Sequence, residues 1–115
     1  MKKRLLSFKY AFQGLFQLFK GQPNAWIHLV SAITVILAAI WFQLSIIEWM
    51  FIILAIGFVF SAELFNTAIE KLVDKVSPEK NPLAGRIKDL AAGAVLVAAI
   101  TAAAIGLVIF LPKMF

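Results

Sequence analysis

The chain has 115 residues, of which 63% are hydrophobic, and its mean hydropathy is +0.95. These values exclude an ordinary soluble domain, in which about half of the residues are apolar, and predict a single membrane domain spanning residues 1–115. The net charge of +5 predicts contact with anionic lipid rather than nucleic acid, and the absence of cysteine excludes disulfides, thiolate metal sites and a catalytic thiol.

Residues 4–20 are predicted to form an amphipathic surface helix. Its apolar residues recur at steps of three and four, namely Leu5, Phe8, Phe12, Leu15, Phe16 and Phe19. Such a helix lies among the lipid headgroups with its aromatic face toward the acyl chains. The alternative is a cytosolic extension of the first membrane helix, but Gly21 and Pro23 favour a break. The N-terminal segment could be mistaken for a signal peptide, but Lys9, Gln13 and Gln17 interrupt its apolar stretch, so we do not expect it to be cleaved.

A first membrane span is predicted at about residues 25–43. No Asp, Glu, Lys or Arg lies within it, and its length suffices to cross a hydrocarbon layer of about 30 Å. Trp26 and Trp41 lie near its two ends, as interfacial aromatic residues do. His28 lies inside the span, and we interpret it as a hydrogen-bonded packing residue rather than a ligand.

A second span is predicted at about residues 47–75. Its uncharged part, residues 49–62, makes roughly 21 Å of helix, which is too short to cross the membrane alone. The crossing must therefore continue past Glu63 and Asn66, which places both within the membrane edge, while Glu70 and Asp74 approach water.

These four polar residues share one face of the predicted helix. Glu63 and Glu70 are seven residues apart, which at 100° per residue leaves them within roughly 20° of each other, with a rise of roughly 10 Å. Asn66 and Asp74 fall on the same stripe. A carboxylate within a membrane span is costly to bury, so the stripe is a candidate functional site.

The second span is predicted to end at Ser77-Pro78, because proline disfavours helix at and before its own position. Residues 77–85 contain two prolines and a glycine and are predicted to form a loop. A third span is predicted at about residues 86–111. Its many alanines allow close helix packing, and we interpret most of them as packing surface.

The distribution of Lys and Arg predicts the orientation. Five lie in the first twenty residues, none in the first hairpin turn, five in the second connection and one near the C-terminus. The positive-inside rule then puts the N-terminus and the long connection in the cytoplasm and the C-terminus outside.

The acidic stripe and its neighbouring cations leave three classes of function open. Hard oxygen ligands suit Mg²⁺, cations suit phosphate oxygens, and a buried carboxylate suits a general base, which together describe phosphoryl transfer to a membrane substrate. A small proton-coupled transporter would also need a membrane-embedded carboxylate such as Glu63. Judged from the residue types alone, transport is a commoner role for such a carboxylate than phosphoryl transfer. A scaffold subunit does not explain the stripe.

Two details favour phosphoryl transfer over transport. The acidic residues lie at the cytoplasmic edge rather than at mid-membrane, and a cluster of cations faces them. The chain contains no G-x-x-x-x-G-K-[ST] motif and no glycine-rich loop, so ATP is not held as in a soluble kinase or a P-loop protein.

Three segments carry a resemblance to a known family: AELFNTAIEKLVD at residues 62–74, Ser-Pro-Glu at 77–79 and AGRIKDLAAGA at 84–94. The E-x-x-N-x-x-x-E-x-x-x-D pattern, followed by K-D-x-x-x-x-A-V, closely resembles the signature of prokaryotic diacylglycerol kinases and undecaprenol kinases. The likeness extends over the whole chain, including SFKYAF at residues 7–12.

The resemblance implies an all-α integral membrane protein with three transmembrane helices and an N-terminal surface helix, assembled as a homotrimeric bundle. It further implies a multi-pass lipid kinase of the bacterial cytoplasmic (inner) membrane. The substrates implied are Mg²⁺-ATP and the hydroxyl of either undecaprenol or diacylglycerol. The sequence does not decide between the two lipids, although Ser-Pro-Glu and Ile27-His28 look more like the undecaprenol branch.

The resemblance also implies roles by position. Glu63 matches the catalytic base, Asn66 a residue that orients the acidic cluster, and Glu70 a ligand of the Mg²⁺ that bridges the ATP phosphates. The residues that match the nucleotide site, or would lie beside the nucleotide, are Asp74, Glu79, Lys80, Asn81, Lys88 and Asp89. Lys3 and Tyr10 lie on the surface helix, which the resemblance implies would close over ATP and the lipid.

Position 22 departs from the family pattern. Many members carry a second metal-binding Glu where this chain has Gln22, and the spacing from position 22 to Glu63 fits without a gap. An amide offers a carbonyl oxygen but no charge, so we expect Gln22 to contribute to the metal site with weaker affinity than a Glu.

Overall fold

The computed structural model describes all 115 residues as four α-helices with no β-strand. The helices are α1 (Lys2–Gly21), α2 (Pro23–Trp41), α3 (Ile46–Val76) and α4 (Pro82–Met114). The predicted all-α architecture, with an N-terminal helix followed by three long apolar helices, is therefore confirmed.

The break between α1 and α2 lies at a single residue, Gln22, whose backbone is extended (φ −125°, ψ 109°). Pro23 follows at the start of α2, where its missing N–H costs nothing and its fixed φ suits a helix. The two helices are joined across the break by the Trp26 indole N–H, which donates to the Phe19 carbonyl at 2.8 Å. The Phe19 and Trp26 rings also meet edge to face at 5.2 Å. This confirms the predicted break and excludes a continuous first helix.

Helix α3 runs without interruption through all four residues of the predicted acidic stripe. Its first turn is closed by a capping box, in which the Ser45 hydroxyl accepts from the Glu48 N–H and the Glu48 carboxylate accepts from the Ser45 N–H. The 31 residues of α3 extend over about 46 Å, which exceeds the hydrocarbon thickness of about 30 Å. At least one end of α3 must therefore extend out of the hydrocarbon layer of the membrane.

Helix α4 begins earlier than the sequence predicted. Residues 82–85 were predicted as part of a loop, which is wrong, because Pro82 is the first residue of the helix. The Asn81 side chain caps this end, its Oδ1 accepting from the Leu83 N–H at 2.8 Å and from the Ala84 N–H at 3.4 Å. Asn followed by Pro is a helix-start pattern, and here it outweighs the breaking tendency of Pro82 and Gly85.

Helices α3 and α4 pack along each other most extensively, and α2 and α1 lie against α3. A small apolar core of Ala39, Leu44, Ile52 and Ile109 lies near the end of the bundle where α3 begins. A salt bridge between Lys113 and Glu48, with Nζ and Oε1 3.3 Å apart, joins α4 to α3 at the same end.

Most apolar side chains remain on the outside of the bundle. Only 14 of 115 residues are buried, and the exposed ones include many Leu, Ile, Val and Phe side chains of α2, α3 and α4. These three helices are each long and apolar enough to cross a membrane. The chain is thus a multi-pass membrane protein, whose exposed apolar surface is suited to lipid or to other protein chains.

Candidate functional site

Glu63 is the most deeply buried charged residue of the chain, with 2% of its surface exposed. It lies past the middle of α3 on the face toward α2. There its Oε1 lies 2.9 Å from Nε2 of His28, and no other side chain forms a hydrogen bond with it. A buried carboxylate with a single side-chain partner keeps one oxygen available for a further ligand or proton.

His28 is the site residue that sequence reasoning underestimated. The prediction that it is hydrogen-bonded is confirmed, but its partner is Glu63, so it belongs to the site rather than to the packing alone. Nothing in the sequence near His28 indicates this contact, since the two residues are 35 positions apart and lie on different helices. Only the way α2 packs on α3 brings them together.

Two turns further along α3, Glu70 lies among amide side chains. Its Oε2 is 3.4 Å from Nε2 of Gln22, and its Oε1 is 3.5 Å from Nδ2 of Asn66. Both contacts are long and therefore weak. The structure thus brings Gln22, from the break between α1 and α2, to the carboxylate that the sequence singled out.

The surroundings of Glu70 suit a hard cation. Asn66 is buried, and its Oδ1 has no hydrogen-bond partner, an unusual and costly state for a buried oxygen. The Glu70 carboxylate offers the kind of oxygen that binds Mg²⁺ or Ca²⁺, and Asn66 and Gln22 could add carbonyl oxygens if their amides, whose nitrogens face Glu70 in the structure, turned over. The chain has no cluster of three His, Cys, Asp or Glu residues.

An open cavity of about 520 Å³ lies beyond Glu70, where α3 ends and α4 begins. An ion pair between Asp74 and Lys88 joins the two helices beside it. Five of the residues that the resemblance connected with the nucleotide line this cavity: Asp74, Glu79, Lys80, Asn81 and Lys88. Of these, Asn81 has its Oδ1 engaged in capping α4.

Three predicted site residues form no side-chain hydrogen bond or ion pair with the acidic stripe or with the residues that line the open cavity. Lys3 and Tyr10 are exposed on α1, and Asp89 is exposed on α4. None of the three forms a side-chain hydrogen bond or an ion pair in the structure of a single chain, so their suggested roles stay predictions.

A second cavity, of about 360 Å³, lies between α2, α3 and α4 and is mainly apolar. His28 and Ser31 are its only side chains with hydrogen-bonding groups, and the rest of the lining comes from residues such as Val35, Ile52 and Val59. Through His28, this apolar cavity adjoins the buried Glu63.

Fold and site together define a small helical membrane protein with a carboxylate stripe that leads from the apolar layer to an open, partly cationic cavity. Comparison with known sequences identifies the family. The sequence model of the prokaryotic diacylglycerol kinase family matches residues 9–110, and the chain belongs to this family. It is therefore a lipid kinase, and the phosphoryl donor of a kinase is ATP.

Named relatives agree with this assignment. The chain is 46% identical to the undecaprenol kinase of Bacillus subtilis over 108 residues, which cover 94% of this chain and 88% of that protein. It is 40% identical to a diacylglycerol kinase of Synechocystis over 111 residues, covering 96% of this chain but 63% of that longer protein. It is 33% identical to the diacylglycerol kinase of Escherichia coli over 91 residues, covering 73% and 75% of the two chains. These findings give no support to a transporter.

Proposed function

We propose that residues 1–115 form a single lipid-kinase domain, which phosphorylates the hydroxyl of undecaprenol, or alternatively of diacylglycerol, with Glu63 as general base. The observation that carries this proposal is the position of a buried carboxylate between an apolar cavity and an open cavity with cations. A lipid hydroxyl and a nucleotide phosphate can meet only at such a boundary. The high identity to an undecaprenol kinase favours undecaprenol.

In the proposed reaction, the lipid hydroxyl oxygen bonds to the γ-phosphorus of ATP while the bond from that phosphorus to the β,γ-bridging oxygen breaks, releasing ADP. The hydroxyl proton passes to a carboxylate oxygen of Glu63. Asn66, one turn along the helix, orients Glu70 through its amide. Mg²⁺ held by Glu70, with Gln22 beside it, would neutralise charge on the ATP phosphates when bound.

The nucleotide is proposed to occupy the open cavity at the junction of α3 and α4. Lys80 and Lys88 supply cations for phosphate oxygens, while Asp74 holds Lys88 by an ion pair. The remaining proposed contacts are Glu79, Asn81 and Asp89, together with Lys3 and Tyr10 of α1. Because Lys3 and Tyr10 are exposed in the single chain, α1 must move, or must serve a neighbouring chain, for them to reach the nucleotide.

The proposed location is the bacterial inner membrane, with the N-terminus and the α3–α4 connection in the cytoplasm and the C-terminus outside. The uneven distribution of Lys and Arg supports this orientation. It also gives the open cavity access to ATP, which is confined to the cytosol.

We further propose that the protein works as a homotrimer. The resemblance to trimeric kinases supports this, as does the small fraction of the chain that is buried. Helix α4 carries many small residues, which would allow the helices of adjacent chains to approach closely. A neighbouring chain would also help to enclose the open cavity, which one chain leaves exposed to solvent.

The proposed function is tested with the purified protein in phosphatidylcholine vesicles that contain either undecaprenol or diacylglycerol. With ATP labelled at the γ-phosphate, label is expected in the lipid fraction, and faster with undecaprenol than with diacylglycerol. ATP turnover without labelled lipid in either arm would contradict a lipid kinase. Faster labelling of diacylglycerol would contradict only the substrate assignment.

Gln22→Glu is expected to lower the Mg²⁺ concentration required for the half-maximal rate. Position 22 already lies 3.4 Å from the Glu70 carboxylate, and a second negative charge there would strengthen cation binding. The Mg²⁺ dependence of lipid phosphorylation measures this, with Gln13→Glu, at an exposed position of α1, as a control for added charge. An unchanged or higher Mg²⁺ requirement would show that position 22 does not contact the metal.

A further inference from the structure

We propose that His28 is a positioning residue, whose Nε2–H holds the carboxylate of Glu63 in the orientation needed for proton removal. This inference rests on the proposed function, in which Glu63 is the base. It is carried by a contact between α2 and α3: Nε2 of His28 lies 2.9 Å from Oε1 of Glu63, and Glu63 is 2% exposed.

The tautomer of His28 follows from its partner. To act as a base, Glu63 must be ionised, and an ionised carboxylate can only accept hydrogen bonds, so in the active enzyme the ring nitrogen that faces Glu63 carries the hydrogen. Nε2 then donates to Oε1 at a good hydrogen-bond length. The contact occupies one carboxylate oxygen and leaves Oε2 for the lipid hydroxyl.

Positioning matters here because Glu63 has no other side-chain partner. A glutamate side chain turns about several bonds, and fixing its conformation costs entropy that a single good hydrogen bond can offset. A general base must lie about 2.6–3.2 Å from the oxygen whose proton it takes, and a displacement of about 1 Å can cost about 100-fold in rate. Without His28, the carboxylate could rotate away from the hydroxyl.

His28 is itself held by its surroundings. Its ring meets the Phe60 ring edge-on at a centroid distance of 6.4 Å, and Phe60 lies on α3 one turn before Glu63. Phe60 also packs against Phe19 of α1, with ring centroids 6.1 Å apart. The ring of His28 is 80% shielded from solvent, since its side chain is 20% exposed. These contacts restrict its orientation, and it also borders the apolar cavity from which a lipid chain would approach.

Three variants at position 28 test this inference by separating hydrogen bonding from packing and from proton uptake. His28→Gln places an amide N–H near the position of Nε2 and cannot take up a proton. His28→Leu fills a similar space without a donor. His28→Asn keeps an amide, but one too short to reach Oε1. Each is assayed for lipid phosphorylation, with kcat and the KM values for ATP and lipid determined separately.

His28→Gln is expected to keep kcat within about threefold of the parent, whereas His28→Leu and His28→Asn lose about 100-fold in kcat with little change in either KM. Thermal unfolding in detergent is measured for all three variants. If His28→Leu does not fold, His28→Asn gives the comparison. A normal kcat for the variants without a donor, or a loss in His28→Gln as large as in His28→Leu, would overturn the inference.

A Glu63→Gln enzyme distinguishes this inference from the proposal on which it rests. If Glu63→Gln turns over normally, the assignment of Glu63 as base fails. If Glu63→Gln is inactive while His28→Leu is normal, only the positioning role of His28 fails. When both proposals hold, adding His28→Leu to Glu63→Gln causes no further loss, because the residue that His28 positions is already disabled.

Discussion

Glu63→Gln is expected to reduce lipid phosphorylation by a factor of at least about 100 and up to about 10,000, the range typical of losing a general base. The amide has nearly the same shape as the carboxylate and can still accept a hydrogen bond from His28, so the packing of α2 on α3 should survive. It cannot take the hydroxyl proton. The loss should therefore fall on kcat, with the KM for ATP nearly unchanged.

The matched control is Glu48→Gln, the same substitution on the same helix. Glu48 lies at the start of α3, 15 residues or about 22 Å from Glu63, in a capping box and an ion pair with Lys113. It has no contact with the candidate site, and its turnover should match that of the parent enzyme. Near-normal turnover of Glu63→Gln would remove Glu63 as the base, and equal losses in both variants would point to damaged folding instead.

Glu70→Gln is expected to raise the Mg²⁺ concentration for the half-maximal rate at least about tenfold and to lower the rate at fixed Mg²⁺. Glu70 is the carboxylate that contacts both Gln22 and Asn66, so its replacement by an amide removes the negative charge closest to those two side chains. Unlike Glu63→Gln, this variant should regain part of its activity as Mg²⁺ is increased.

The measurement is the dependence of lipid phosphorylation on Mg²⁺ at saturating ATP for both carboxylate variants. If added Mg²⁺ partly restores the activity of Glu70→Gln but not that of Glu63→Gln, metal binding is assigned to Glu70 and proton removal to Glu63. The same Mg²⁺ dependence in Glu70→Gln as in the parent would exclude Glu70 from the metal site.

The fold was largely predictable because its signals are local. Runs of apolar residues long enough to cross a membrane, the break at Gly21–Pro23 and the stop at Ser77-Pro78 all depend on neighbouring residues. The placement of Glu63, Asn66 and Glu70 on one helix face followed from helical periodicity alone, and α3 confirms that these residues share one continuous helix. The start of α4 at Pro82 was missed because Pro and Gly were interpreted as loop residues, although Asn81 supplies a cap.

What sequence could not predict depends on packing between helices. The contact of His28 with Glu63 joins residues 35 positions apart, and that of Gln22 with Glu70 joins residues 48 apart. Each pair joins residues from different parts of the fold, so the periodicity of a single helix cannot predict either contact. The resemblance suggested the second contact, because it aligned Gln22 with a metal ligand, but neither pattern nor resemblance suggested the first.

The exposed residues of α1 illustrate a different limit. Lys3 and Tyr10 were connected with the site only by resemblance, and in a single chain they do not contact it. A protein with so little buried surface is completed by its surroundings, whether lipid or neighbouring chains. If the proposed homotrimer forms, Lys3 and Tyr10 are expected to act only in the assembled protein.

The central claim is that one stripe of α3 binds the metal–nucleotide through Glu70 and receives the lipid proton at Glu63. The most direct test is an experimental structure in lipid with Mg²⁺, a non-hydrolysable ATP analogue and undecaprenol. We expect a metal ion between Glu70 and the analogue's phosphates, and the lipid hydroxyl within hydrogen-bond distance of Glu63. A nucleotide bound away from α3, or a lipid hydroxyl far from Glu63, would contradict the account.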